Sequence, residues 1–270
     1  MKKKGIITLL ALSLTTIVLV SCGGRKNDDP NLIRVGVQTG PEFVVAQEAQ
    51  RVAKEKYGLD VELIEFNDYV MPNTALEQGD IDVNAFQHKQ FLEDQIKQRG
   101  YDFSIVGNTF IYPIAAYSNK IKSKEELKDG STIVIPNDAT NGGRALLLLA
   151  KQGLIQLKDG IGNTPTLVDI VSNPRGFKIL ELEAPQLPRM LDDAGVTIAV
   201  INNTFAGQAG LSVKDGLFRE DSDSPYVNVI VSRTDNKDAE KVKKFVQAYQ
   251  TTEVEEVAKR EFKGDVIRGW

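Results

Sequence analysis

The sequence predicts an α/β fold of two lobes with a ligand cleft between them, and three observations carry that expectation. From Ile33 onward, short β-branched runs alternate with segments of helical apolar spacing, the pattern of β-α-β units around a largely parallel sheet. After Tyr117 the alternation starts afresh, so a second unit follows the first. The chain also revisits the first unit at its end: a β-branched run at Tyr226 to Val231 leads into two terminal helices. Two crossovers near Pro113 to Tyr117 and Val227 to Val231 then form a hinge, and the cleft between the lobes is where a ligand sits.

Ile33 to Val37 opens the folded part as a strand. Phe43 to Tyr57 follows as a helix that Gly58 stops, and Val61 to Phe66 returns as a parallel strand by a right-handed crossover. Next come a helix at Met71 to Gln78, a strand at Val83 to Phe86, a helix at Lys89 to Gln98 and a long apolar run from Phe103 to Tyr117. The second unit reads as a polar helix at Ser123 to Leu127, a strand from Thr132, a polar turn and an apolar helix reaching Ala150, and a strand at Phe177 to Leu182. A helix at Gln186 to Asp192 and a strand at Thr197 to Ile201 complete it. The helices Asp238 to Tyr249 and Thr252 to Phe262 are expected to pack on the first lobe.

Before the fold, residues 1–21 read as a secretory signal: Lys2, Lys3 and Lys4, then an uncharged stretch rich in Ile, Leu and Val. The stretch is shorter than the roughly 20 residues a spanning helix needs. It ends in Leu19-Val20-Ser21-Cys22, which resembles the bacterial lipoprotein signal. Cys22 is the single cysteine, so no internal disulfide is available, and its position favours lipid attachment over an unused thiol. A diacylated Cys22 anchors the body to the cell membrane on its extracytoplasmic side. Residues 22–31 read as a flexible tether, residues 32–115 plus 230–270 as lobe I and residues 116–229 as lobe II. Removing the leader takes away three lysines and no acid, leaving 30 basic against 37 acidic residues and a net charge of −7. That balance argues against nucleic acid as a partner.

The stretch Thr132 to Ala150 carries the first candidate site. Thr140 or Asn141 can cap its helix, and Gly142 and Gly143 allow a ligand to approach backbone N–H groups that lack an intrahelical partner, an anion site. Arg144 then falls in the first turn, where the helix dipole disfavours a cation unless an anion lies between. That anion is either a ligand carboxylate or an acidic side chain of the chain itself.

The sole histidine, His88, reads either as a hydrogen-bonded structural residue at a strand-to-helix turn or as a cleft wall. Tyr69, in the polar turn Asn67 to Asn73, is core or cleft. Phe86, Phe91 and Phe205 stand near element ends, and Phe66 reads as core. Asn202 and Asn203 follow an apolar strand, and Asn228 lies inside one, where its amide requires a partner in the protein or in a ligand. There is no phosphate loop, no Gly-x-Ser-x-Gly elbow and no His/Cys cluster for zinc. The chain therefore reads as a binding protein, with no catalytic residue, cofactor or metal expected. An arginine, asparagine carbonyls and aromatic rings together suit a zwitterionic amino acid with an apolar or thioether side chain.

Five segments identify a resemblance: Asn67-Asp-Tyr-Val-Met-Pro-Asn73, Val83-Asn-Ala-Phe-Gln-His88-Lys89, Ile135-Pro-Asn-Asp-Ala-Thr-Asn141, Glu183-Ala-Pro-Gln-Leu-Pro188 and Ser224-Pro-Tyr-Val-Asn228. In this order they resemble the NlpA lipoprotein family, the methionine-binding lipoproteins of ABC importers, from about Ile33 to Trp270. The resemblance implies a two-lobed periplasmic-binding-protein fold that closes on methionine and presents it to a membrane permease with its ATPase. It implies that Arg144 grips the carboxylate, that Asn202 and Asn228 hold the amino group, and that Tyr69, Phe86, His88 and Phe91 line the side-chain pocket, with Asn141 beside them. Phe91 stands where tyrosine is common in that family, Gln90 where proline is, Gly143 where a larger apolar residue is, and Gly40-Pro41-Glu42 where Gly-Pro-His is. Other readings are another amino acid or a methionine-containing dipeptide as ligand, an adhesion or signalling lipoprotein, and an enzyme on the same scaffold, which requires a perturbed carboxylate pair in the cleft.

Overall fold

The computed structural model describes residues 29–221 and 223–270, so the expected leader, Cys22 and most of the tether lie outside the described residues. The expected β-α-β unit opens the fold: β1 (Leu32–Gln38), α1 (Pro41–Tyr57) and β2 (Asp60–Phe66), with β1 and β2 parallel in the register Val35 to Leu63. Gly58 ends α1 in the left-handed conformation at φ 63°, which an L side chain adopts only with strain. Then follow α2 (Met71–Glu77), β3 (Val83–His88), α3 (Lys89–Arg99) and β4 (Phe103–Ile111).

The chain then crosses into a second sheet. β5 (Ala115–Tyr117), β6 (Thr132–Pro136), α4 (Ala139–Lys151), the small hairpin of β7 (Gln156–Leu157) and β8 (Ile170–Ser172), and β9 (Lys178–Leu182) come first. β10 (Ile198–Ile201), α5 (Asn203–Gln208) and β11 (Phe218–Arg219) complete this part. The return runs through β12 (Val227–Arg233), α6 (Glu240–Tyr249), α7 (Thr252–Glu261) and β13 (Ile267–Arg268).

The first sheet has the order β13-β4-β12-β3-β1-β2 and the second β11-β5-β10-β6-β9. Among the described residues two segments connect them, residues 112–114 between β4 and β5 and residues 220–226 between β11 and β12. β12 lies antiparallel between β3 and β4, so the returning strand sits in the middle of the first sheet.

Both sheets are covered on both faces, and the side-chain alternation shows it. In β10, Ile198 and Val200 pack with α4 residues such as Leu146 and Leu149, whereas Ala199 and Ile201 pack with Leu187 and Phe205. In the first sheet, Ile33, Val35 and Val37 meet Val45, Ala49 and Val52 of α1 and Phe245 of α6, while Val229 and Val231 face Leu76 and Leu92. Burying each large side chain of this kind stabilises the fold by roughly 1.5–3 kcal/mol.

Two expected helices are tighter than an α-helix. Residues Ala184–Asp192 form a 3-10 segment because Pro188 has no N–H to close an α turn, and the polar segment near Ser123 is a single 3-10 turn, Lys124–Glu126. The short strands β7, β8, β11 and β13 had no counterpart in the expected pattern; two or three residues are too few for a period of two to register.

Candidate ligand site between the two sheets

At the C-terminal end of β3 the chain turns directly into α3, and His88 makes that turn. Its Nδ1 accepts from Phe91 N at 3.1 Å, capping the helix. This fixes the proton on Nε2, which donates to Asn141 Oδ1 at 3.2 Å across the cleft. Burial first, and the Arg144 charge second, push the imidazole down to about 3, so the ring is neutral. His88 is therefore both of the things the sequence left open, a structural cap and a cleft wall.

The aromatic residues of the first sheet gather beside it. The Tyr69 ring lies 5.9 Å from Phe86, 6.0 Å from Phe91 and 4.9 Å from Phe205 of α5, and Phe86 meets Phe91 edge-on at 6.1 Å. Behind Phe86, buried Asn73, Asn84 and Gln87 bond one another at 2.7–3.0 Å and pin β3 against α2. Asn228, on β12, donates to Phe86 O at 3.0 Å; among the described residues its Oδ1 has no partner.

The second sheet contributes amides and a cation. The expected cap at Thr140 or Asn141 is corrected by the structure: Asp138 caps α4, accepting from Asn141 N at 2.9 Å, Asn141 Nδ2 at 3.0 Å and Thr140 Oγ1 at 3.0 Å. A carboxylate two residues before Thr140 and three before Asn141 outcompetes the hydroxyl and the amide for helix-end N–H groups, so the anion at this helix start is the chain's own. Gly142 and Gly143 do not open a path to the backbone either. A Cβ on Gly142 would come 2.8 Å from Pro136 O, and one on Gly143 would come 2.8 Å from Thr164 Cα, so both serve close packing. Asn141 has all its amide capacity in use, because Oδ1 also accepts from Asn202 Nδ2 at 2.7 Å. Asn202 Oδ1 and Asn203 Nδ2 are buried without a partner among the described residues.

Arg144 lies in the second turn of α4 rather than the first. Its anion is internal: Nε donates to Glu220 Oε1 at 2.6 Å and Nη2 to Glu220 Oε2 at 2.5 Å, and Nη2 also reaches Tyr112 O at 2.9 Å. The guanidinium carbon sits 4.3 Å from the centre of the Tyr226 ring. Among the described residues Nη1 has no acceptor, and the side chain is only 4% exposed.

These pieces form one pocket lined by Tyr69, Phe86, His88, Phe91, Asn141, Arg144, Asn202 and Asn228; Thr140, Gly142, Gly143 and Phe205, which the sequence also offered, do not line it. Gln87, Tyr112 and Thr204 also line it and were not anticipated. Gln87 carried a signal, lying inside the quoted segment between Phe86 and His88, whereas Tyr112 and Glu220 have no local mark in the sequence. Among the described residues, no three His, Cys, Asp or Glu side chains group to hold a metal, and no helix is long and apolar enough to cross a membrane.

Two α/β sheets joined by two crossovers, with a lined cavity between them, define a two-lobed periplasmic-binding-protein fold. Residues 33–270 match the NlpA lipoprotein family model, and the chain belongs to that family. It is 62% identical over 256 residues to the D-methionine-binding lipoprotein MetQ of Escherichia coli strain K12, covering 94% of each chain. Its structure matches the crystal structure of a methionine-binding protein, MetQ, with a TM-score of 0.89 and 64% identity, covering 90% of this chain and 99% of that one. A nutrient-binding protein from Burkholderia cenocepacia, solved bound to methionine, matches with a TM-score of 0.85 and 50% identity over 88% of this chain and all of that one.

Proposed function

We propose that this chain is an extracytoplasmic solute-binding lipoprotein that captures methionine and delivers it to an ABC permease driven by its ATPase. One observation carries the reading: the cavity has a charged and amide wall on one side and an aromatic wall on the other, the complement of a zwitterion with an uncharged side chain. The names of the relatives at 62% identity and of the methionine-bound neighbour support the same ligand.

In this reading Arg144 Nη1 meets the carboxylate, and Asn202 Oδ1 with Asn228 Oδ1 accepts from the ammonium. Tyr69, Phe86, His88 and Phe91 enclose the thioether. A neutral His88 places no second cation beside the ammonium. Asn141 orients His88 and Asn202 through its doubly used carbonyl. Residues 32–115 plus 230–270 move as one lobe against residues 116–229, with the two crossovers as the hinge, and a lipid on Cys22 holds the protein at the membrane.

The test is direct. A soluble version lacking residues 1–22 is purified without added ligand and denatured, and the released small molecules are identified by mass spectrometry. Methionine near one per chain is the expected result. An empty protein whose unfolding temperature does not rise with methionine would overturn the reading, because a tight ligand stabilises the fold by mass action.

A further inference from the structure

Glu220 stands where the cavity meets the hinge. It lies at the start of the second crossover, between β11 and β12, yet it is bonded into the first: Glu220 N donates to Ile114 O at 3.0 Å and Ile114 N donates to Glu220 Oε2 at 3.2 Å. Ser224, further along the second crossover, donates to the same Oε2 at 3.2 Å. Both carboxylate oxygens face the guanidinium of Arg144, whose Nη2 is also held by Tyr112 O, on the first crossover. One carboxylate thus joins the cation of the cavity to both connections between the lobes.

A guanidinium has a fork on one edge and a second donor pair on the other. With Nε and Nη2 committed to Glu220, and the Tyr226 ring against its face, the side chain has one remaining direction in which to donate, through Nη1. We infer that Glu220 is a positioning residue for ligand recognition: it fixes which edge of Arg144 is offered to a ligand carboxylate and ties that edge to the hinge segments. The inference rests on the reading that Arg144 binds the carboxylate. By charge alone, removing Glu220 would strengthen anion binding, since an acid lies beside the cation; by positioning, removing it weakens binding. The two effects have opposite signs, so the experiment has a clear direction.

The experiment compares wild type, Glu220→Gln, Glu220→Asp and Arg144→Lys by calorimetric titration with methionine and with methioninamide, which lacks the carboxylate. Thermal unfolding of each ligand-free protein is measured alongside. The expected result is that Glu220→Gln weakens methionine binding on the order of 10- to 100-fold and leaves methioninamide unchanged, so discrimination between the two collapses. Glu220→Asp restores part of it. Methionine binding by Glu220→Gln equal to or tighter than wild type overturns the inference, as does an equal loss for both ligands, which would mark Glu220 as a general support of the fold. If Arg144→Lys also keeps wild-type affinity, it is the carboxylate reading that falls; if Arg144→Lys loses binding and Glu220→Gln does not, only the inference falls. Should the Glu220 variants fail to fold, the wild type decides. The Arg144 Nε–H proton resonance, assigned by its loss in Arg144→Lys, is expected to exchange slowly in the methionine-saturated protein, and rapid exchange overturns the inference.

Discussion

The two walls of the cleft are built on different principles. The wall from the first sheet is a cluster of rings, Tyr69, Phe86, Phe91 and His88, whose edges and faces meet at 5.9–6.2 Å with no ionised group among them. The wall from the second sheet, with its crossovers, is a wired polar assembly in which Asp138, Asn141, Asn202, Arg144 and Glu220 each have named partners. Rings tolerate small shifts because apolar contact has no required direction. A buried polar group does not, since a misplaced donor or acceptor costs about 1–3 kcal/mol. The difference bears on specificity: in the proposed reading the polar wall sets what the ligand must be at its amino-acid end, and the aromatic wall sets how well its side chain is covered.

The strongest way to break this contrast is Arg144→Ala. It is expected to cost on the order of 3–5 kcal/mol of methionine affinity, the usual consequence of removing one partner of a buried ion pair. Calorimetry measures the affinity, and unfolding must be followed as well because Glu220 also loses its partner. Affinity near wild type would show that the polar wall does not set the ligand class.

A second test addresses the seam that joins the two sides. Glu42 of α1 is buried and accepts from Thr204 Oγ1 of α5 at 2.5 Å. Burial pushes its carboxyl up to about 8, only partly offset by that hydrogen bond. Its contribution to stability is therefore full below the ordinary value of 4.5 and is lost as the pH rises through 8. His88 runs the other way, its depressed value giving stability that is present above 6.5 and lost as the pH falls toward 3. Between pH 6.5 and 8, of these two groups only Glu42 changes, and a loss of about 2 kcal/mol is expected. Denaturant unfolding across that window measures it. Glu42→Gln should flatten the slope, and parallel slopes for the two proteins would refute the assignment.

The smallest effect sharpens the other wall. Norleucine keeps the length of methionine and replaces sulfur by a methylene, so it probes the rings alone. Sulfur–aromatic contacts contribute about 0.3–1.5 kcal/mol each, and norleucine is expected to bind about 1 kcal/mol more weakly in a competition titration. Equal affinity would mean that Tyr69, Phe86 and Phe91 supply apolar area and nothing specific to sulfur.

Much of this was legible in the chain. The β-branched runs at Ile33, Val61 and Thr132 and the stop at Gly58 gave strands and a helix end, because period and glycine conformation are local properties. Eight of the candidate site residues line one pocket, because most stand at or near element ends, where an α/β sheet opens its crevice. The cap of α4 was less legible: three neighbouring residues, Asp138, Thr140 and Asn141, can all cap, and only the backbone angle at Asp138, ψ 146°, selects one.

What the sequence by itself determined was the α/β class, the order of the elements and the residue types that surround the cavity, since each follows from spacing along a short stretch. Only the tertiary structure decided that the acid answering Arg144 is Glu220, 76 residues away, and that Tyr112, on the other crossover, shares the same guanidinium nitrogen. The physical reason is that an ion pair leaves no periodic trace at either end. Its partners are chosen by where two distant segments of chain cross, and that crossing exists only once both sheets have formed.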